Sequence, residues 1–194
     1  MKRLCVFCGS SSGRPSLYGE AARELGRALA ARGLGLVYGA GHVGLMGVIA
    51  DAALAAGAPV IGVIPRAMVE KELAHAGLTG LHIVETMHQR KALMAELSDA
   101  FAALPGALGT ADELFEILTW AQLGLHSKPI GILNVGGYFD PLLMWLDQAV
   151  KEGFLKAMHR QLLREASGPE ALLDMLQSHQ PGQSAGKWID ERDL

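Results

Sequence analysis

Two hydrophobic textures alternate along the chain. Short, mainly apolar runs occur at residues 4–8, 34–38, 59–64, 81–84, 100–104 and 129–134. Between them lie longer stretches where apolar residues return every three or four positions, at 17–31, 45–56, 87–97 and 141–152, and through Leu114, Ile117, Leu118 and Ala121 up to residue 123. The first texture predicts buried strands and the second predicts amphipathic helices. Gly33 and Gly57 mark the ends of the first two helices, Pro65 stops the third strand, and Pro141 falls near a first helical turn. Residues 161–165 predict a last edge strand, and 170–177 a last helix opened by Ser167-Gly168-Pro169. Residues 66–79 fit neither texture and are read as a short helix or loop with a flexible middle.

Strands alternating with helices imply a parallel sheet covered on both faces. The expected fold is therefore α/β: a single-domain, Rossmann-like, doubly wound parallel sheet over residues 1–180. A flexible polar tail follows at 181–194, the polar character setting in from His179. In such sheets ligands sit beyond the carboxyl ends of the strands, near the point where strand order reverses. Three glycine turns, at residues 9–13, 39–44 and 105–110, each follow a strand and precede a helix, so all three are expected on that edge.

Composition narrows the partners. Of 194 residues, half are hydrophobic, 19% are charged and 24 are Gly, a globular balance. A formal net charge of -3 offers no general attraction for nucleic acid or an anionic membrane, so any phosphate binding must be local. The apolar run after Met1-Lys2-Arg3 is too short for a secretory segment, and nothing approaches ~20 uninterrupted apolar residues. Two cysteines, Cys5 and Cys8, make no disulfide framework. The expectation is a cytoplasmic protein that contacts neither membrane nor nucleic acid.

The turn Pro105-Gly106-Ala107-Leu108-Gly109-Thr110 lies between a strand and a helix start. Such a turn aims free backbone N–H groups and the positive end of the helix dipole at one point, an anion site that most often takes phosphate. Glu113 then has two readings. Thr110-x-x-Glu113 matches a capping box, and the same carboxylate would face the anion pocket; the two roles can coexist. Asp112 and Glu116 are read as exposed acids of the first turn. On the preceding helix Met87, Arg90, Met94 and Leu97 share one side, so Arg90 interrupts an apolar stripe. Its guanidinium must meet either an internal acid such as Asp99 or an anionic ligand. Lys91 by itself reads as a solvated charge.

Residues 39–44 match GxGxxG literally. A dinucleotide site would also want an acid after the next strand, where this chain has Ile64-Pro65-Arg66. No cofactor is expected. No metal is expected either: Cys5 and Cys8 lie on a strand with side chains to opposite faces, and the seven histidines show no ligand spacing.

Five segments in register carry a family resemblance: CVFCGSSSG (5–13), VYGAGHVGLMG (37–47), MHQRKALM (87–94), LPGALGTADELFE (104–116) and TWAQLGLHSKP (119–129). They resemble the LONELY GUY family of cytokinin riboside 5'-monophosphate phosphoribohydrolases, whose signature is PGGxGTxxE and many of whose members were once labelled possible lysine decarboxylases. The match runs from about residue 3 to residue 154. It implies hydrolysis of the N-glycosidic bond of an N6-substituted adenosine 5'-monophosphate, with plain AMP as a further candidate. It also implies a homodimer with the cleft near the subunit interface. Carried over residue by residue, it makes Arg90 and Glu113 catalytic. It makes Glu72, Arg90, Lys91, Gly106, Ala107, Leu108, Gly109, Thr110, Glu113 and Thr119 substrate-binding. Met46, Met87 and Met94 are candidate walls of the base pocket.

The chain departs from the family pattern at Ala107, where the family has the second Gly of PGG, at Ala40, inside a glycine triplet, and at Leu108, in place of an often aromatic residue. A positive φ at either alanine would cost about 1–2 kcal/mol. Ala107 also keeps open a second class of function, a non-catalytic binder of a nucleotide or phosphate-bearing cofactor. Lysine decarboxylation is rejected on chemistry, because no lysine here carries a Schiff-base signature.

Overall fold

The structure, a computed structural model, describes residues 1–69 and 74–179. The expected tail at 181–194, and Glu72, lie outside the described residues. The order of elements is β1 (Arg3–Phe7), α1 (Ser16–Ala31), β2 (Gly35–Tyr38), α2 (Gly44–Ala55), β3 (Val60–Pro65), α3 (Arg66–Val69), β4 (Gly80–Val84), α4 (Met87–Glu96), β5 (Ala100–Ala103), α5 (Leu108–Gln122), β6 (Ile130–Leu133), a 3-10 turn (Val135–Gly137), α6 (Asp140–Lys151), α7 (Ala157–Arg160), β7 (Leu163–Ala166) and α8 (Pro169–Gln177).

Seven strands form one sheet in the order β4-β3-β2-β1-β5-β6-β7, and every pair is parallel. The chain winds outward from β1 to β4, then returns to the other side of β1 with β5. The switch point is therefore the crevice between the carboxyl ends of β1 and β5, where Phe7 is in register with Ala103. At its mouth the Gly9 N–H donates to the Pro105 carbonyl (3.0 Å), which ties the first glycine turn to the third.

Period-two alternation along the strands divides the core into two layers. Leu4, Val6, Cys8, Leu36, Tyr38, Ala102 and Leu104 face α1, α2 and α8. Cys5, Phe7, Val37, Phe101 and Ala103 face α4, α5 and α6. Cys5 and Cys8 thus point to opposite faces, as read from the sequence; both are buried free thiols. The helices form for local reasons as well. In α1, Ala21, Ala22, Leu25, Ala28 and Leu29 make one buried stripe. In α4 a true capping box closes the start, with the Thr86 side chain accepting from the Gln89 N–H and the Gln89 side chain accepting from the Thr86 N–H.

Strand and helix positions follow the sequence closely. The differences are local. Pro65 is the last residue of β3, not its stop, and α3 begins at the next residue. Past 66–69, Ala74 is described again, where it bridges Gly41 antiparallel. The short helix α7 was not expected; it precedes the edge strand β7.

Candidate active site

The first and third glycine turns line one cleft of about 450 Å³; the second does not line it itself, but the start of the helix that follows it does. Its lining includes Ser10–Ser12 from the first turn, Leu45 and Met46 beside the second, and Pro105, Gly106, Ala107, Gly109 and Thr110 from the third. Arg90 and Glu113 complete the floor, and Tyr18 and Tyr138 form an aromatic side.

The third turn is an exposed helix N-terminus. Ala107 is the N-cap of α5, and the helical ladder starts with Ala111 N–H donating to the Ala107 carbonyl (3.0 Å). The amides of Leu108, Gly109 and Thr110 precede that first bond and find no carbonyl within the helix. No side chain caps this end. The Thr110 hydroxyl is buried and has no hydrogen-bond partner. A buried hydroxyl left unpaired costs about 1–3 kcal/mol, so one that lines a cleft is a ready contact for a ligand. Gly106 is required beside it, because a Cβ there would overlap the Thr110 Oγ1.

This corrects the capping-box reading. The helix begins at Leu108, so Thr110 lies within its first turn and cannot cap it, and Glu113 does not reach back to close a box. Glu113 instead faces Arg90, with Oε1 3.5 Å from Nη1. Both residues are buried. Burial pushes the Glu113 carboxyl up to about 7, even though the Arg90 charge pulls it down; Asp112 and Glu116 add to the upward push. A carboxyl held near neutrality can give or take a proton at ordinary pH.

Arg90 reaches this place along a path cleared for it. Its Nε donates to the Val63 carbonyl (3.2 Å), within β3, and its Nη2 to the Gly39 carbonyl (3.4 Å), just past β2. A Cβ on residue 39 would collide with the guanidinium, so glycine there makes the space. The alternative partner Asp99 is used elsewhere: it accepts from the backbone N–H groups of Lys2 (2.6 Å) and Arg3 (2.9 Å).

Lys91 is buried, not solvated, and stands behind the floor. Its Nζ lies 3.1 Å from Asp112 and 3.1 Å from Glu116, joining α4 to α5. Burial works against its charge, but hydrogen bonds to these two acids prevail and raise its pKa. Asp112 and Glu116 are therefore ion-pair partners, and Glu116 is only partly exposed. Leu108 is 88% exposed at the cleft rim. Thr119 is not at the cleft: its hydroxyl donates to the Phe115 carbonyl (2.7 Å), and it lines a separate apolar groove with Phe115, Leu118 and Trp145. Met46 and Met87 line the cleft as expected, Met94 is in the core, and Met68 of α3 takes its place at the wall.

The two alanine departures resolve differently. Ala107 has φ −113°, so its Cβ brings no left-handed strain. Ala40 has φ +60°, the one positive φ at a non-glycine among the described residues. The GxGxxG turn is filled by the chain itself. The Leu45 N–H at the start of α2 donates to the Gly9 carbonyl (3.0 Å), and a Cβ on Gly44 would overlap the Ser10–Ser11 peptide. A pyrophosphate would need the place that this backbone holds.

Ser10–Ser12 belong to the turn expected on this edge, whereas nothing in the sequence pattern singles out Tyr18 or Tyr138. Tyr138 follows Gly136-Gly137 after β6, and only the sheet order brings that turn beside β5. Among the described residues no group of three or more His, Cys, Asp or Glu could hold a metal ion, and no helix is long and apolar enough to cross a membrane.

Known proteins share both fold and sequence with this chain. A molybdenum cofactor binding protein from Rippkaea orientalis superposes with a TM-score of 0.70 over 92% of this chain and 97% of that one, at 20% identity, which speaks for the fold alone. The family model described as possible lysine decarboxylase matches residues 46–176. A cytokinin riboside 5'-monophosphate phosphoribohydrolase of Arabidopsis thaliana is 48% identical over 180 residues, 93% of this chain and 83% of that one. A rice protein, from Oryza sativa subsp. japonica, named as a probable enzyme of the same activity, is 50% identical over 177 residues, 91% of this chain and 79% of its own length. Identity near one half across almost the whole chain, with the signature turn lying at the sheet's switch point, establishes that this chain belongs to the LONELY GUY family of phosphoribohydrolases.

Proposed function

We propose that this chain hydrolyses the N-glycosidic bond of N6-substituted adenosine 5'-monophosphates, cytokinin riboside monophosphates in particular, and of AMP as a smaller member of the class. The products are the free base and ribose 5-phosphate. The observation that carries the reading is the Arg90–Glu113 pair at 3.5 Å on the floor of a cleft whose rim is an uncapped helix N-terminus.

The 5'-phosphate docks on the α5 N-terminus, taking the amides of Leu108, Gly109 and Thr110 together with the Thr110 hydroxyl. Gly106 and Ala107 shape the approach. That anchor fixes the ribose over the Arg90–Glu113 floor. The bond from C1' to the base nitrogen breaks with its electron pair going to the base, so the sugar gains oxocarbenium character. Ionised Glu113 faces that charge and takes a proton from the water whose oxygen attacks C1'; the proton then passes to the departing base, which leaves neutral and returns Glu113 to its ionised form. Arg90 balances the dianionic substrate and keeps Glu113 ionisable despite its burial. Lys91 contributes positive field from behind and holds Asp112 and Glu116 off the cleft. Met46, Met68 and Met87 give the base an apolar, adaptable wall.

Lysine decarboxylation does not suit these groups. It would run through a neutral lysine amine on a pyridoxal group, whereas Lys91 is held charged between two carboxylates. The carrier reading loses its motive, because the Ala107 Cβ introduces no backbone strain.

We further infer a homodimer. The apolar groove lined by Thr119, Phe115 and Trp145, with exposed Trp145 (59%) and Phe154 (87%) beside it, is suited to a second copy. Sedimentation should give a dimer, and Trp145→Glu should give a monomer. Buried free thiols fit a reducing cytoplasmic setting.

The deciding experiment is release of free base from isopentenyladenosine monophosphate and from AMP. Glu113→Gln and Arg90→Ala should each lose at least about a hundredfold in kcat/KM. Full activity in either variant, or binding of the monophosphate without turnover by the native chain, refutes the reading.

A further inference from the structure

Tyr138 stands outside every motif that marks the family turn, yet its hydroxyl donates to the Gly106 carbonyl at 2.6 Å. The path that brings it there is specific. After β6 the chain passes through Gly136 (φ +60°) and Gly137 (φ +72°), two left-handed residues in succession, which swing the next side chain across to the turn after β5. Asn134 locks this bend. Its Oδ1 accepts from the Phe139 N–H (2.8 Å), and its Nδ2 donates to Asp140 Oδ1 (2.7 Å) and Glu165 Oε2 (3.1 Å). The Tyr138 ring is held edge-on by Tyr18 (5.6 Å between centroids) and by Phe139 (5.2 Å). The ring is therefore fixed by contacts that do not involve its hydroxyl.

We propose that Tyr138 is the positioning residue of the phosphate turn, orienting the Gly106–Ala107 peptide for a phosphomonoester. A trans peptide is planar, with its C=O and N–H pointing opposite ways. Fixing the Gly106 oxygen therefore fixes the Ala107 N–H, the amide at the N-cap of α5. The same hydrogen bond engages a carbonyl lone pair that would otherwise be free to turn toward an anion and repel it. Gly106 has no Cβ to restrain it, and it can have none, because the space is taken by Thr110. The turn thus lacks a steric lock of its own, and the tyrosine hydroxyl supplies a polar one from the turn after β6. This role rests on the reading of the cleft as a nucleoside monophosphate site.

The test is Tyr138→Phe, which keeps the ring contacts and removes only the hydroxyl. The melting temperature should stay close to that of the native protein. The KM for isopentenyladenosine monophosphate should rise about five- to tenfold, as expected for one lost hydrogen bond, with kcat changed less than about twofold. Calorimetric affinity for ribose 5-phosphate should weaken by the same factor, and affinity for free adenine should not change. Unchanged ribose 5-phosphate affinity in the variant overturns the proposal. So does an equal loss for adenine, which would make the tyrosine a wall for the base. Native protein that binds no ribose 5-phosphate at all refutes the reading of the cleft on which this role depends, and the control therefore tells the two failures apart.

Discussion

Arg90 Nη1 and Glu113 Oε1 lie 3.5 Å apart, each buried, each delivered by a different helix. A carboxylate fully satisfied by an arginine would have its pKa depressed, whereas burial lifts Glu113 from 4.5 to about 7 against the arginine's pull. The guanidinium spends other donors on the Val63 and Gly39 carbonyls. Glu113 is left poised between its two protonation states.

That poise has a pH signature in stability. The folded protein holds the Glu113 proton more tightly than the unfolded chain does. The stabilisation is present in full below the unfolded value of 4.5 and is lost as pH rises through about 7. The interval corresponds to about 3 kcal/mol. Glu113→Gln, which mimics the protonated acid, should flatten this part of the curve. Urea unfolding of both proteins at pH 4.5, 6 and 8 measures it; parallel curves would show that Glu113 has an ordinary pKa. If ionised Glu113 is the base, kcat/KM of the native protein should rise with pH to a plateau above about 7.

Gly39→Ala tests how far the arginine depends on space made by a neighbour. The new methyl would occupy the position of the guanidinium. The arginine must swing aside, and a displacement near 1 Å can cost about a hundredfold in rate. Steady-state kinetics should place Gly39→Ala close to Arg90→Ala, although the substituted residue carries no functional group. Retention of native kcat/KM would mean that the arginine's place is not essential.

The fold was legible because its texture is strong. Runs such as 100–104 and 129–134 read as buried strands, and β5 and β6 lie there. The site was legible as far as the turn at 105–110, Arg90 and Glu113, which the fold brings to one cleft. It failed where one pattern fits two structures. Thr110 and Glu113 have capping-box spacing, but the helix begins two residues before Thr110, with an alanine as its cap, which leaves no side-chain signal. The same kind of pattern at Thr86 and Gln89 is a real box. Lys91 looked solvated because its partners, Asp112 and Glu116, are remote in sequence and meet it only when α4 packs beside α5. Tyr138 carried no local sign, since its meaning comes from the adjacency of β5 and β6.

The two alanines that replace family glycines should behave oppositely. Ala107→Gly relieves no strain, because φ is already negative, and should lose about 0.5–1 kcal/mol through backbone entropy. Ala40 pays about 1–2 kcal/mol for its left-handed backbone, in part offset by its buried methyl, which sits where Gly62 leaves room. A Cβ on residue 62 would lie 2.6 Å from the Ala40 Cβ. Gly62→Ala should therefore cost about 2 kcal/mol in the native background and about 1 kcal/mol less in Ala40→Gly. Denaturant melts of the four proteins give the coupling; additive effects would separate the two sites.

Thr110→Val sets stability against binding at one atom. The Thr110 hydroxyl is buried without a partner, next to a glycine that has no room for a Cβ, at the head of an uncapped helix. Without ligand, removing it relieves an unsatisfied polar group while keeping the side chain's shape, so the valine protein should be more stable by about 1 kcal/mol. With a phosphomonoester bound, the hydroxyl becomes a donor to an anionic oxygen, and a bond to a charged partner is worth about 1.5–3 kcal/mol. The variant should therefore bind ribose 5-phosphate at least about tenfold more weakly while melting at a higher temperature. A structural role would move both quantities downward together. A role in phosphate binding moves them apart, and thermal melts with and without ribose 5-phosphate distinguish the two in one experiment.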